Sequence, residues 1–493
     1  PQSQALPVRR FNIPAGPLET VLKAFEDSSG IHVKIAREGL TALSSPGATG
    51  IYTNEQALRK ILVDTGLSYR FIQSDEVLID LQQTSTFIDV TESVAPIITS
   101  PKYTEPLRDI PQSITVVPPQ VMADQASTTL RDALRNVAGI SLAAGEGGAQ
   151  GDNLTVRGFT ARNDIFIDGM RDFGSYYRDP FDLEQIEVLQ GPSSVTFGRG
   201  STGGVVNQAM KTAQANPFFG GSVEFGTDAT RRGTFDFNHP VPALGNGTAF
   251  RLDAMGHESG VAGRDVAESR RFGFAPSLAF GLGSATRTNL TYFHQTANDT
   301  PDYGIPWLFN GPAPVARNNY YGFRDANHLD TTADIGTAKV EHDFSANFTL
   351  RNQLRYASYD RGVQVTEAKV PTSVVVGTPL SNISVTRNQI TVNSQETFLD
   401  NQLDASGRFH TGFIRHNLVM GVEGGRETSD PTRFAITGVP GTNLLHPDED
   451  QAYAGVATVS SRVKTTAVSF GAYLLDTMRL GQKWELIAGV RWD

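Results

Sequence analysis

A mainly β fold is predicted for this 493-residue chain, on three observations. First, from Phe218 onward the apolar period is two. Phe250, Leu252 and Ala254 alternate with Arg251, Asp253 and Met255. Leu350, Leu354 and Tyr356 share a face opposite Arg351, Gln353 and Arg355, and Trp484, Leu486, Ala488, Val490 and Trp492 oppose Glu485, Ile487, Gly489 and Arg491. Second, charged residues occupy the second face of run after run, which suits a water-filled lumen better than the inside of a soluble sandwich. Third, the connections alternate between tight (Gly283-Ser284, Ser345–Asn347) and long (Asp299–Asp330, Gly362–Ile390, Thr428–Arg462). No run of 18 apolar residues exists, so a membrane-spanning form of this chain has only a closed antiparallel β-barrel open to it.

Composition agrees. Glycine is high at 48 residues and only 19% of residues are charged, which fits many short strands and turns. With no cysteine, neither disulfides nor thiolate metal sites arise, and the nine histidines are scattered. A formal net charge of −10 argues against nucleic-acid binding. The opening at Pro1 is polar, which reads as a cytosolic start or a mature form with its signal removed.

Two small α+β domains precede the barrel. In residues 6–81, Phe11–Ile13 is a short strand, and Leu18, Val21, Leu22 and Phe25 mark a helix that Gly30 stops. A strand follows at Ile31–Ala36. Thr53-Asn54-Glu55-Gln56 is a capping box for a second helix that buries Ala57, Leu58, Ile61 and Leu62, before strands Ser68–Gln73 and Glu76–Leu81. Residues 83–103 form a linker around Phe87-Ile88-Asp89-Val90-Thr91. In residues 104–215, Ile110–Val117 reads as a strand and Asp124–Val137 as one helix ended by Gly139. Gly145–Gly151 reads as a flexible loop. Three strand runs, Leu154–Phe159, Ile165–Met170 and Gln185–Gln190, follow between Gly-rich turns. Gly198, Gly200 and Gly203 match G-x-G-x-x-G, but a strand-like Val205–Gln208 follows where a dinucleotide site needs a helix.

The order VRGF, IFIDGM, IEVLQGP, FGRGSTGGVVNQ between Leu154 and Gln208 resembles the plug domain of TonB-dependent outer-membrane receptors, and "DGMRDFGSYYRD" is similar to the catecholate-siderophore group. The head "FNIPAGPLETVLKAFEDSSG" resembles the short N-terminal domain of secretins and of signalling receptors of that family. The resemblance implies four parts. They are a periplasmic signalling domain (1–82), a linker with the TonB box (83–103), a plug (104–215) and the first half of a barrel (216–493). About eleven strands are read here where such receptors have about twenty-two, so the sequence reads as a fragment holding about half of the barrel.

The implied function is import of a ferric siderophore, with TonB and an anti-sigma regulator as partners and a monomer in the outer-membrane lipid. No catalysis and no protein-held cofactor are expected, since iron travels within the ligand. Haem or another nutrient as cargo, or a role mainly in signalling, are the alternatives. The TonB box is placed at Phe87, Ile88, Asp89, Val90 and Thr91, where a short β-prone linker looks the same. Arg157, Glu184, Glu187 and Arg199 are read as a plug ion-pair network, serving either release or plug register. Ligand contacts are expected at Arg162, Arg171, Tyr176, Tyr177 and Arg178, because a ferric catecholate is anionic with aromatic faces. Six aromatics in the 21 residues from Tyr303 to Phe323 suggest an upper binding surface or a lipid girdle, with Trp307 and Tyr321 as further contacts.

Overall fold

The computed structural model describes residues 9–36, 43–73, 75–81, 97–143, 151–481 and 483–493. The expected TonB box at Phe87–Thr91 lies outside the described residues, as does most of the Gly145–Gly151 loop. The chain divides into two compact units, Pro1–Val94 and Ala95–Asp493.

In the first unit two helices, Leu18–Ser29 and Asn54–Ile61, pack on small sheets. Gly30, at φ 73°, ends the first helix with its N–H on Glu26 O. Its buried face carries Leu18, Val21, Leu22 and Phe25, and Phe25 stacks on Phe11 at 5.8 Å. The capping box forms in both directions. Gln56 N–H donates to Thr53 Oγ1 at 3.2 Å, and Thr53 N–H donates to Gln56 Oε1 at 3.1 Å. Strand Glu76–Leu81 lies centrally, parallel to His32–Ile35 and antiparallel to Leu67–Gln73.

In the second unit, a five-stranded sheet has the order Met170–Arg171, Ile165–Ile167, Gly204–Met210, Leu183–Gln190, Ser113–Val117. Two expectations fail here for backbone reasons. The predicted helix Asp124–Val137 is two short helices, Pro119–Asp124 and Leu130–Leu134. Ala126 takes φ 47°, and the Thr129 hydroxyl accepts from Asp132 N–H to start the second. The predicted strands Leu154–Phe159 and Ile165–Met170 each bend into a hairpin instead. Arg157-Gly158 and Asp168-Gly169 have positive φ at both central residues, which matches the twist of tight hairpins.

Eleven strands then follow in sequence order and pair antiparallel. They are Phe218–Phe225, Arg231–Pro240, Ala249–Val261, Arg264–Phe280, Thr286–Asp299, His328–Ser345, Phe348–Lys369, Ser384–Thr411, Ile414–Ser429, Thr465–Leu480 and Trp484–Trp492. Among the described residues the first and last are not paired with each other, so the wall is open. The seventh and eighth strands pair as far as Lys369 and Thr386. The connection predicted at Gly362–Ile390 is therefore only residues 370–383, because Val363, Val365 and Val392 continue the alternation and pack together.

The wall is inside-out. Leu354 and Tyr356 are 44% and 55% exposed, while Gln353 and Arg355 on the opposite face are 2% and 1% exposed. Apolar residues facing outward and polar residues facing the plug are what lipid outside and a filled lumen require.

Replacing Thr53 with Ala is expected to destabilise the N-terminal unit by about 1 kcal/mol, and Phe25→Ala by about 3–5 kcal/mol. Urea unfolding followed by circular dichroism measures both.

Candidate ligand-binding site

The two hairpins put the plug's apical loops against the wall. The loop after the second hairpin, Asp172 to Asp179, is organised by Arg178, whose guanidinium is buried. Its Nε donates to Asp172 Oδ2 at 2.7 Å, Nη1 to Asp152 Oδ2 at 3.4 Å and Nη2 to Gly174 O at 2.8 Å. Its backbone N–H also reaches Asp152, and its carbonyl accepts from Leu130 N–H, fixing the start of the Leu130–Leu134 helix. The Tyr176 ring lies 4.3 Å from the guanidinium and stacks on Tyr359 of the seventh strand at 5.9 Å. Tyr359 O–H donates to Asp172 Oδ1 at 2.6 Å, so this node joins plug to wall.

Electrostatics follow from that burial. Desolvation opposes the Arg178 charge, but Asp172, Tyr176 and Asp152 outweigh it and hold its pKa above the ordinary value. Burial raises Asp152 against the pull of Arg178, and it raises the Tyr176 hydroxyl well above its usual range. Beside the node, Arg232 of the second strand holds Asp179 bidentately at 2.6 and 2.7 Å. Gln295 of the fifth strand donates to Tyr177 O and accepts from Asp179 N–H.

Two expected contacts, Tyr176 and Arg178, are thus committed inside the node. Tyr177 is half-buried and turns to the wall, against Leu329, Val363, Val365 and Val392, with Arg271 5.5 Å from its ring. Burial pushes its hydroxyl up to about 12. The apolar wall holds the ring away from the crevice that Arg162 lines.

Arg162 is exposed. It donates to Ser175 Oγ at 2.5 Å and borders a cavity of about 240 Å³ with Phe173, Tyr359, Glu396, Phe398 and Glu427. Arg171 borders a second cavity of about 390 Å³ with Arg199, Phe398, Asp400 and Glu423. Its guanidinium donates to Asn163 O and Arg199 O and lies 5.1 Å from the Phe166 ring. Burial lowers its pKa. Among the described residues no group of three His, Asp or Glu side chains is placed to hold a metal ion.

The outer loop divides its aromatics. Trp307 is 64% exposed on a hairpin of Trp307–Leu308 with Gly311–Pro312. Tyr321 is 2% exposed, and its hydroxyl donates to Leu444 O at 2.6 Å. Phe323 stacks on Tyr453 and under Arg387. Tyr321 is therefore part of a loop core joining residues 319–324 to 440–453, because a phenol in a long loop lowers its energy by burying its ring and satisfying its hydroxyl.

The expected network of Arg157, Glu184, Glu187 and Arg199 does not form: among the described residues these four side chains do not pair with one another. Arg157 donates to Gln190 Oε1, Glu184 faces Arg251 at 3.8 Å, and Glu187 accepts from Thr99 N–H, Gln185 and Asn207. Arg199 contributes its carbonyl to Arg171. The closest buried charge pairs that seat the plug on the second and third strands are Asp179–Arg232 and Lys211–Asp253, with Asp172–Tyr359 beside them. Sequence alone marks Arg232 and Asp253 only as members of the lumenal face, and Asp172 and Asp179 only as loop acids.

Comparison with known proteins adds identity to this geometry. Residues 106–205 match the TonB-dependent receptor plug domain, and residues 273–493 match the TonB-dependent receptor-like β-barrel. The catecholate siderophore receptor Fiu of Escherichia coli K12 is 35% identical over 415 residues, covering 80% of this chain and 54% of that protein. The crystal structure of Fiu in its open form has a TM-score of 0.73 at 34% identity and covers 80% of this chain and 62% of that one. The siderophore receptor PiuA of Acinetobacter baumannii has a TM-score of 0.74 at 33% identity, over 80% of this chain and 59% of that one. The P. aeruginosa receptor FpvA is alike in fold only, with 20% identity and a TM-score of 0.72, over 98% of this chain and 65% of that one. The chain spans about half the length of its curated relatives.

Arg178→Met is expected to leave Asp152 and Asp172 buried without their cation and to destabilise the plug by about 3–5 kcal/mol. Limited proteolysis across a urea series, read at the 152–179 segment, measures it. Arg162→Met, at an exposed position, is expected to leave the protection curve unchanged.

Proposed function

We propose that this chain, which belongs to the TonB-dependent receptors and carries their plug domain and barrel strands, serves the active import of a ferric siderophore, of the catecholate class, across the outer membrane. Receptors of this family are outer-membrane β-barrels and are not enzymes. The observation that carries the reading is the crevice beside Arg162. A solvent-accessible guanidinium stands over a cavity walled by Phe173, Tyr359 and Phe398. Cationic and aromatic surfaces together recognise an anionic chelate with exposed aromatic faces. The relation to Fiu, named a catecholate siderophore receptor, supports the same cargo. Iron is part of the cargo and needs no ligand from the protein.

Energy for the import comes from TonB, to whose sheet the Phe87–Thr91 segment of the linker adds a strand. Ligand binding shifts the population of linker states that offer this segment. The N-terminal unit reports occupancy to an inner-membrane anti-sigma regulator. Its two-helix, capped α+β core and the coverage of nearly the whole chain by the FpvA fold support a distinct folded module there.

Fluorescence quenching of the full receptor with ferric catecholates, ferric hydroxamates and haem tests the cargo. Tight binding of catecholates is expected, and Arg162→Ala weakens it about tenfold, roughly 1.4 kcal/mol. Binding of hydroxamates or haem alone overturns the cargo assignment. Deleting residues 1–81 is expected to leave uptake intact and abolish siderophore-induced transcription, and loss of uptake as well would show that the N-terminal unit is not a separate reporting module.

A further inference from the structure

The plug is held to the wall unevenly. Toward the first seven strands the contacts are buried and polar. Arg232 holds Asp179, Lys211 holds Asp253 at 2.9 Å, and Arg355 Nη1 donates to Ile167 O at 2.8 Å. Tyr359 and Gln295 add the bonds to Asp172 and Tyr177 already described. Toward the eighth and ninth strands the arrangement differs. The plug presents Arg162, Arg171 and Arg199, and the wall presents Glu396, Asp400 and Glu427. Among the described residues no hydrogen bond or ion pair joins these two sets.

Between them lie the two cavities of about 240 and 390 Å³, and Phe173 and Phe398 line both. The two rings meet edge to face at 5.1 Å and 62°. The eighth strand runs from the long-loop end to the tight-turn end, so Glu396 lies above Phe398 and Asp400 below it. The cavities are therefore stacked along the lumen with this ring pair as their partition.

The lower end of the same side is closed by residues 97–105. Lys102 Nζ donates to Thr196 O at 2.7 Å and lies 4.4 Å from the Tyr473 ring. Glu105 pairs with Arg479 of the tenth strand. Thr99 N–H donates to Glu187 Oε1 at 2.6 Å. This strap is the described part of the second unit nearest the N-terminal linker, so a pull from that end arrives here first.

We infer that the plug parts from this wall on one side: it stays docked on the first seven strands and parts from the eighth and ninth, and Phe173 with Phe398 is the gate of the passage so formed. Separating a ring pair breaks one apolar contact, whereas separating Asp179 from Arg232 strands buried charge. A passage with guanidinium groups on one side and carboxylates on the other, with no bond joining the two across it, lets a charged chelate pass without exchanging strong plug–wall bonds, and Arg171 keeps its pair with Asp164 within the plug.

The inference rests on the transport reading, and the test separates the two. These 493 residues have no cysteine, so, with any cysteine elsewhere in the full receptor replaced by serine, introduced pairs react alone with a short bismaleimide. In the full receptor, Phe173→Cys/Phe398→Cys is expected to lose on cross-linking the uptake it has before cross-linking. Cross-linked Phe181→Cys/Phe293→Cys joins plug and wall at another aromatic pair, 5.9 Å apart on the docked side, and is expected to keep uptake. Loss in both, retention in both, or loss only in the second overturns one-sided opening. A measurement without siderophore checks the gate itself. Phe173→Ala/Phe398→Ala is expected to raise potassium conductance in planar bilayers several-fold over the parent, and unchanged conductance overturns the gate. A receptor that conducts so but takes up no ferric siderophore keeps the gate and removes the transport reading.

Discussion

One buried guanidinium fixes the apical plug. Arg178 gathers Asp152, Asp172, the Gly174 carbonyl and the Tyr176 ring, and its own carbonyl starts the Leu130–Leu134 helix. Three stretches distant in sequence are thereby held at one point, because a buried charge must be surrounded by partners or removed. Asp172 then has an oxygen left for Tyr359, and Asp179, one residue on from Arg178, meets Arg232. The seat of the plug on the wall is a continuation of the need to neutralise that first charge.

The wall answers the same need from its side. Its lumenal face carries Arg232, Asp253, Gln295, Gln353 and Arg355, all buried, while Leu354, Tyr356 and their neighbours face outward. In a water-soluble sandwich this pattern would bury charge against nothing. Around a plug, inward polar groups find plug backbone or side chain to bond, as Arg355 has Ile167 O and Gln295 has Tyr177 O. Barrel polarity and plug loops are thus two halves of one hydrogen-bond system.

That system is interrupted on one side of the plug. Where it is complete, on strands two to seven, the plug is fixed. Where it is interrupted, beside strands eight and nine, arginines and carboxylates face a crevice. The proposed ligand contact at Arg162, the aromatic partition below it and the strap at Lys102 and Glu105 all lie on this interrupted side. In the proposed mechanism, binding and release are referred to this one face of the plug.

Period-two alternation was enough to determine the strands of the wall and which of their faces is polar, because side-chain direction along a strand is fixed locally. The plug strands Ser113–Val117 and Leu183–Gln190, the capping box at Thr53–Gln56 and the helix stop at Gly30 were legible because they too depend on local residues. What the chain's order could not determine was partnership. Arg157, Glu184, Glu187 and Arg199 are near in the plug's sequence yet find different partners, and Tyr176, Tyr177 and Arg178 are adjacent yet face a stacking ring, an apolar wall and two carboxylates. Only the tertiary structure decided which loop residues are buried struts and which, like Arg162, are exposed beside a cavity, because burial and charge pairing depend on strands more than a hundred residues away.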